Sequence, residues 1–343
     1  MKALVLTEYK KFEFSDVPDP VPAEDEVLIQ VKACGICGSD VHGMDGSSGR
    51  RIPPIIMGHE ASGVITSIGK EVSSYKVGDR VTFDSTIYCG ECWYCRRGDI
   101  NLCDNRRVLG VSCDEYRRHG AFAEYVTVPE RILYRIPEGI SFEHAALTEP
   151  VSIAVHAVAR TPIALGDTAV VAGTGMIGLL VVQVLKAAGC GRVIAVDIEE
   201  EKLALAKKLG ADVGLNPKRV DVPAEVRKLT DGRGADVSFE VVGIGATLNT
   251  ALATLRKGGI ATLVGNLSAT AEFPHQSTVT REISINGSCA SQGEYPACID
   301  MIARKKIDVA PLVSKVVPLS EGAGWFKRLY DREPGLFKVV LVP

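Results

Sequence analysis

The stretch "AVVAGTGMIGLL", Ala169 to Leu180, decides how the rest of the chain is read. An apolar run of strand length stops at a glycine, and a second apolar run of helical character begins three residues later. Between them Gly173, Gly175 and Gly178, enclosing Met176 and Ile177, form G-x-G-x-x-G. The first glycine permits a tight turn and the second lets the backbone approach a pyrophosphate. The third allows close helix packing where the helix N-terminus attracts an anion. Alone the motif is weak, because a glycine turn without a nucleotide would read the same. The next strand-like run, "RVIAVD", ends in Asp197, about 20 residues on, where a carboxylate can accept hydrogen bonds from ribose hydroxyls. Ile198, Glu199, Glu200 and Glu201 follow it. They offer no arginine to a 2′-phosphate and would repel one, so NAD is expected rather than NADP.

Outward from this turn the rhythm persists. "TAVVAG", "RVIAVD", "DVGL", "ADVSFEV", "IATLVG" and "ISINGS" alternate with helix-like stretches. Six buried strands with helical crossovers imply a parallel sheet covered on both faces, a doubly wound Rossmann arrangement in the α/β class. Before it the pattern differs. "DEVLIQVKAC", "ASGVITSIG", "GDRVTF" and "AEYVTV" are short alternating segments separated by Gly, Pro and Asp, which predicts a strand-dominated, β-barrel-like region. After it, "EYPACIDMIARKKI" reads as an amphipathic helix and "FKVVLVP" as a short strand that must pair with the N-terminal region. Residues 1–152 and 288–343 are therefore expected to form one discontinuous domain, with residues 153–287 inserted into it.

Composition narrows the function classes. The chain has 343 residues and a formal net charge of -3, with basic runs such as Arg96-Arg97 and Arg106-Arg107 and none longer than Arg304-Lys305-Lys306, so no nucleic-acid footprint is present. Its longest apolar stretches fall short of the about 20 residues that a membrane span needs. "MKALVLTEYKKFEF" lacks the cleavage pattern of a signal peptide and reads as an opening strand. A cytoplasmic location is expected, and the ten cysteines then suggest metal or catalysis before disulfides.

Four of the ten lie in "YCGECWYCRRGDINLC": Cys89, Cys92, Cys95 and Cys103, spaced C-x2-C-x2-C-x7-C. Four soft thiolates on one loop suit a closed tetrahedral zinc. An iron–sulfur cluster is the rival, but its bacterial run closes with a shorter spacing and a proline, whereas Asp104 follows here. A disulfide pair would need an oxidising compartment. With every thiolate used by the protein, such a zinc has no position for a substrate and is structural.

A second candidate has an opening. In "CGICGSDVH" and "GHE", Cys37 supplies a soft ligand and His59 a borderline one, and Glu60 or the later Glu149 supplies a carboxylate. Three protein ligands and a free position are the arrangement of a catalytic zinc. Asp40 is expected to accept the other ring N–H of the histidine. Taken singly, Cys37 as a small buried residue, His59 as a core histidine and Glu60 as a loop charge are the plainer readings. Their combination points to metal. Cys34 is expected to pack.

Together these residues resemble the zinc-containing medium-chain alcohol dehydrogenase family and, within it, the polyol (sorbitol) dehydrogenase-like branch. The motifs that carry the resemblance are "CGICGSDVH", "GHEASG", the four-cysteine loop, Glu149-Pro150, "GTGMIG" and Asp197. The resemblance implies a GroES-like β-barrel catalytic domain, an inserted Rossmann domain and an active site in the cleft between them. It implies Cys37, His59 and Glu60 as catalytic zinc ligands, with Glu149 as an alternative or water-mediated one. Ser39 is then the hydroxyl that accepts the substrate proton, His42 a relay toward solvent, and Lys202 an assistant to Asp197 at the adenosine ribose. Two zinc ions and NAD are the implied cofactors, and a homodimer or homotetramer the implied assembly.

The implied reaction is oxidation of a secondary alcohol, of polyol type, to its ketone. Where the branch carries an arginine and a tyrosine against the polyol, this chain has Ala290 and Ser291 in "GSCASQGEYP". Arg50 and Arg51 therefore raise an alternative, an anionic substrate such as a polyol phosphate or threonine. A nucleotide-binding regulator without turnover is the alternative of another class, since fold alone does not give function.

Overall fold

Six strands lie side by side in the order Val213–Leu215, Arg192–Val196, Thr168–Ala172, Ala235–Glu240, Leu255–Leu263 and Ser284–Gly287, and every neighbouring pair is parallel. In chain order that is 3-2-1-4-5-6, the doubly wound arrangement expected from the six apolar runs. Thr168–Ala172 and Ala235–Glu240 are buried along their whole length, as strands covered on both faces must be. The helix Met176–Ala187 follows the first strand and buries every residue from Gly178 to Leu185. Helix Val222–Leu229 starts where Asp221 accepts from the Ala224 N–H at 3.0 Å, with proline in its first turn.

This is a computed structural model that describes residues 1–113 and 116–343. The chain divides into two compact units. Met1–Glu149, Gln292–Lys305 and Val309–Pro343 form one, and Pro150–Ser291 with Lys306–Asp308 form the other.

In the first unit, Lys2–Glu8 and Lys11–Asp16 make an antiparallel hairpin. The principal sheet is built around the strand Glu26–Gly35, which pairs antiparallel with Glu60–Ile68, Tyr125–Pro129 and Lys338–Val342. The expected pairing of "FKVVLVP" with the N-terminal region is thus met by Leu341 opposite Cys34 and Val340 opposite Gly35. Leu4, Leu6, Ile29, Ile65, Phe83 and Phe122 fill the core. Phe326 stacks on Phe12 at 4.4 Å and meets Phe122 edge-on at 5.6 Å. The helix Tyr295–Ala303 buries Tyr295, Cys298, Ile299 and Ile302, the amphipathic stripe its sequence predicts.

Register decides where chemistry collects. Glu60 lies opposite Gly35 and begins its strand, while Cys37 follows Gly35 by two residues. Lys338 begins the strand on the other side. The shared end of three strands thus gathers Cys37, His59, Glu60 and Lys338. Among the described residues no helix is long and apolar enough to cross a membrane.

Candidate active site

Cys37, His59 and Glu60 each offer one ligand atom, and these atoms all lie within 4.8 Å of one another. Cys37 caps the short helix Gly38–Gly43 as its N-cap residue, so its position is fixed by helix geometry. Gly58, at φ +95, takes a left-handed conformation against Phe122 and Cys34 and delivers His59. Cys34 is buried, and burial holds its thiol well above the usual range, as suits a packing residue. Burial also lowers the His59 pKa, but the neighbouring Asp40 and Cys37 win and raise it well above 6.5. The ring therefore sits where positive charge is favoured, and a divalent ion supplies that as a proton does. A soft, a borderline and a hard donor converge, Cys37 half-buried and His59 and Glu60 buried, and that donor set fits zinc.

Asp40 is fully buried. Its Oδ1 faces His59 Nδ1 at 3.4 Å, within ion-pair reach though beyond a well-formed hydrogen bond. Its Oδ2 accepts from the Cys37 N–H at 3.3 Å. Burial alone would raise its carboxyl pKa, but His59 and Arg51 hold it well below the ordinary value.

Lys338 was missed in the sequence. Its Nζ donates to Glu60 Oε1 at 2.8 Å, Glu60 Oε2 at 2.6 Å and the Ile36 carbonyl at 3.0 Å, with both side chains buried. A lone lysine inside the apolar run "FKVVLV" was the available signal, since an ammonium in a buried strand demands a partner. A Cβ on Gly35 would collide with Glu60 Oε2, so glycine there makes room for the carboxylate. Glu149 stands in the first turn of the helix Thr148–Ala159 and lies outside the converging donor group. Burial, with Glu60 adding to it against His59, pushes its pKa up to about 8.

Ser39 and His42 are exposed on the helix Gly38–Gly43, three residues apart and so neighbours on its surface. The expectation for Arg51 is corrected. It is not a free cation for an anionic substrate but is 3% exposed, with its guanidinium given to Asp40 and Ser39. A buried carboxylate needs a charge partner, and Arg51 is that partner. Arg50 remains exposed.

Cys89, Cys92, Cys95 and Cys103 also gather within 4.8 Å. Cys89 Sγ and Cys95 Sγ are 3.9 Å apart, close to the about 3.8 Å edge of a tetrahedron with zinc–sulfur bonds near 2.3 Å. Backbone N–H groups of Glu91 and Cys92 lower the Cys89 thiol to about 6, while burial raises Cys95 to about 12. The loop also grips a distant segment, for Gln292 Nε2 donates to Asp99 Oδ1 at 2.8 Å and to the Gly98 carbonyl at 3.2 Å.

In the second unit, the glycine turn stands at the end of Thr168–Ala172, where neighbouring strands lead off in opposite directions across the sheet. Ligands bind at such switch points. Gly173 has φ +98, and a Cβ on Gly178 would strike the Gly173 carbonyl. Gly175 is the N-cap of Met176–Ala187, without a side-chain cap, and a Cβ there would meet nothing within 4 Å. A helix N-terminus without a side-chain cap and with open space beside Gly175 fits a pyrophosphate. Asp197 Oδ2 accepts from Thr174 N–H at 2.8 Å and from its hydroxyl at 3.0 Å, which ties the carboxylate to the turn. Met176 and Ile177 open the helix. Lys202 pairs with Glu199, its ammonium lying 2.7 Å from Glu199 Oε1, two residues beyond Asp197. Ala290 takes φ +56 and Ser291 is buried.

Residues 23–138 match the family described as alcohol dehydrogenase GroES-like domain, and residues 177–304 match zinc-binding dehydrogenase. The chain is 36% identical over 348 residues to a sorbitol dehydrogenase of Bacillus subtilis (strain 168), covering 100% of this chain and 97% of that protein. A putative zinc-binding dehydrogenase from Sinorhizobium meliloti 1021, bound to NADP, superposes with TM-score 0.92 at 31% identity, covering 100% and 99% of the two chains. A short chain alcohol dehydrogenase from Escherichia coli CFT073, complexed with NADH, also gives TM-score 0.92, at 30% identity and the same coverage.

Proposed function

The chain belongs to the zinc-binding alcohol dehydrogenase family and is an oxidoreductase of that family; from this premise we propose that it interconverts a secondary alcohol, of polyol type, and its ketone with NAD. The observation that carries the reading is the convergence of Cys37, His59 and Glu60. These residues would hold a catalytic zinc, with Glu149 as the alternative carboxylate, and Cys89, Cys92, Cys95 and Cys103 would hold a structural one. When bound, zinc supplies a Lewis acid and the nicotinamide a hydride acceptor.

The chain's own residues supply placement and proton traffic. Asp40 orients the His59 ring. Ser39 Oγ takes the hydroxyl proton of the substrate, and the exposed His42 passes it to solvent. The Gly173, Gly175 and Gly178 turn, with Met176 and Ile177, cradles the pyrophosphate, and Asp197 receives the ribose hydroxyls with Lys202 close in sequence. Glu199, Glu200 and Glu201 disfavour a 2′-phosphate by like charge, which supports NAD over NADP. The sorbitol dehydrogenase relative supports a polyol. With Arg51 buried against Asp40, a neutral substrate is favoured over an anionic one.

An open sheet edge supports an assembly of copies. Among the described residues Ser284–Gly287 pairs only with Leu255–Leu263, and Ile285 on it is exposed. A homodimer or homotetramer would cover that edge, which light scattering on the purified chain measures.

The test is a panel of neutral polyols and polyol phosphates assayed for reduced nicotinamide with NAD and with NADP. Turnover of a neutral polyol with NAD, and at least about tenfold poorer use of NADP, is expected. Zinc-loaded protein that reduces neither nucleotide with any alcohol would replace this reading by the regulator.

A further inference from the structure

Arg51 joins two residues that adjoin the ligand set, Asp40 and Ser39. Nε donates to Asp40 Oδ1 at 3.1 Å, and Nη2 donates both to the same oxygen at 2.9 Å and to Ser39 Oγ at 3.2 Å. Nη1 donates to the Arg50 carbonyl at 3.3 Å, which ties the guanidinium to its own loop. Asp40 in turn reaches the Cys37 backbone through one oxygen and the His59 ring through the other. Two ligand residues and the hydroxyl of the proposed proton path therefore lean on one guanidinium.

From this geometry we propose that Arg51 is the positioning residue of the catalytic centre, fixing Asp40 against His59 and setting the orientation of the Ser39 hydroxyl. The inference rests on the zinc dehydrogenase reading above. A serine oxygen carries two lone pairs and one proton. With one lone pair taken by Arg51, a single acceptor position remains for the substrate hydroxyl, and the serine proton is free to pass onward. The link thereby acquires a direction.

The requirement is for a planar fork and not merely a positive charge. Nη2 is shared between two acceptors that belong to adjacent residues, and lysine has no rigid edge to share in this way. Gly43 supports the same placement, because a Cβ there would collide with Arg51 Cγ. The arginine stem thus lies across the last residue of the helix whose first turn carries Ser39 and Asp40.

The experiment uses the full chain loaded with cobalt(II), whose absorption bands report ligand geometry, and compares wild type with Arg51→Met, Arg51→Lys and Gly43→Ala. Metal affinity is read by chelator competition, and kcat and KM are read separately with a neutral polyol and a polyol phosphate. The four-cysteine site provides an internal spectral reference that none of the changes touches.

Expected for Arg51→Met is a loss of about 10- to 100-fold in affinity at the Cys37 and His59 site. A changed cobalt spectrum there and a fall in kcat with little change in KM for the neutral polyol go with it. Arg51→Lys should recover less than half of the kcat loss, and Gly43→Ala should move the same readouts in the same direction, which covers the case in which Arg51→Met does not fold. Wild-type spectrum, affinity and kcat in folded Arg51→Met or Arg51→Lys would overturn the proposal. So would a loss confined to KM for the polyol phosphate, since Arg51 would then be meeting substrate charge. If wild type itself takes up no cobalt beyond the four-cysteine site, the zinc dehydrogenase reading fails, and this inference with it.

Discussion

Lys338 closes on Glu60 from 278 residues away, reaching both carboxylate oxygens in a pair that solvent hardly touches. A lone ammonium or carboxylate would be costly there, and each is tolerable because of the other. The pair also touches the Ile36 carbonyl, so it braces the backbone immediately before Cys37.

Replacing Lys338 by Met should therefore destabilise the protein by about 3–5 kcal/mol, because Glu60 would keep its burial and lose its partner. Denaturant unfolding of the zinc-loaded chain measures this. A loss below 1 kcal/mol would mean that Glu60 finds another cation.

Gly35→Ala tests the same carboxylate by crowding. The new methyl occupies the place of Glu60 Oε2, so the carboxylate must leave Lys338 or the strands must part. kcat/KM should fall by at least about tenfold, or about 1.4 kcal/mol of transition-state stabilisation. Full activity would show that the place of this oxygen is unimportant to turnover.

Cys103→Ser should remove one zinc per chain by elemental analysis and leave the other. Loss of a closed metal site that ties a loop should lower Tm by roughly 5 °C, corresponding to about 2 kcal/mol in a domain of this size. Zinc content equal to wild type would exclude the four-cysteine assignment.

Asp236 gives an acid dependence in the inserted unit. Burial favours its neutral form, but the Thr168 N–H at 2.8 Å and Arg256 Nε at 2.7 Å prevail and hold its pKa below 3.8. A folded pKa below the unfolded one means that the stabilisation is complete above about pH 4 and fades as pH falls through the folded value. Asp236→Asn should cost about 1–3 kcal/mol at pH 7, with the gap to wild type narrowing below pH 4 in urea titrations. A gap that is the same at pH 7 and pH 3 would refute the charge-based account.

What could be read from the sequence was what is local or periodic. The glycine turn, the six apolar runs and the four-cysteine spacing each carry their signature within a few residues, and the strands Thr168–Ala172 to Ser284–Gly287 appear where those runs stand. Cys37, His59 and Glu60 were legible as residue types, but their meeting depends on Glu60 lying opposite Gly35. Arg51 was read as an anion contact because "GRRIPP" sets two arginines side by side before "GHE". Its burial follows from the Asp40 charge eleven residues earlier and from space left by Gly43. Lys202 pairs with Glu199, the N-cap residue of its helix, a contact that i,i+3 spacing offers at no cost in loop closure.

The strand Lys338–Val342 lies in the middle of its sheet rather than at a border. It is made after all six strands of the inserted unit, so that unit can mature during synthesis while Cys34 and Gly35 still lack Leu341 and Val340. Glu60 must wait for its lysine over the same interval.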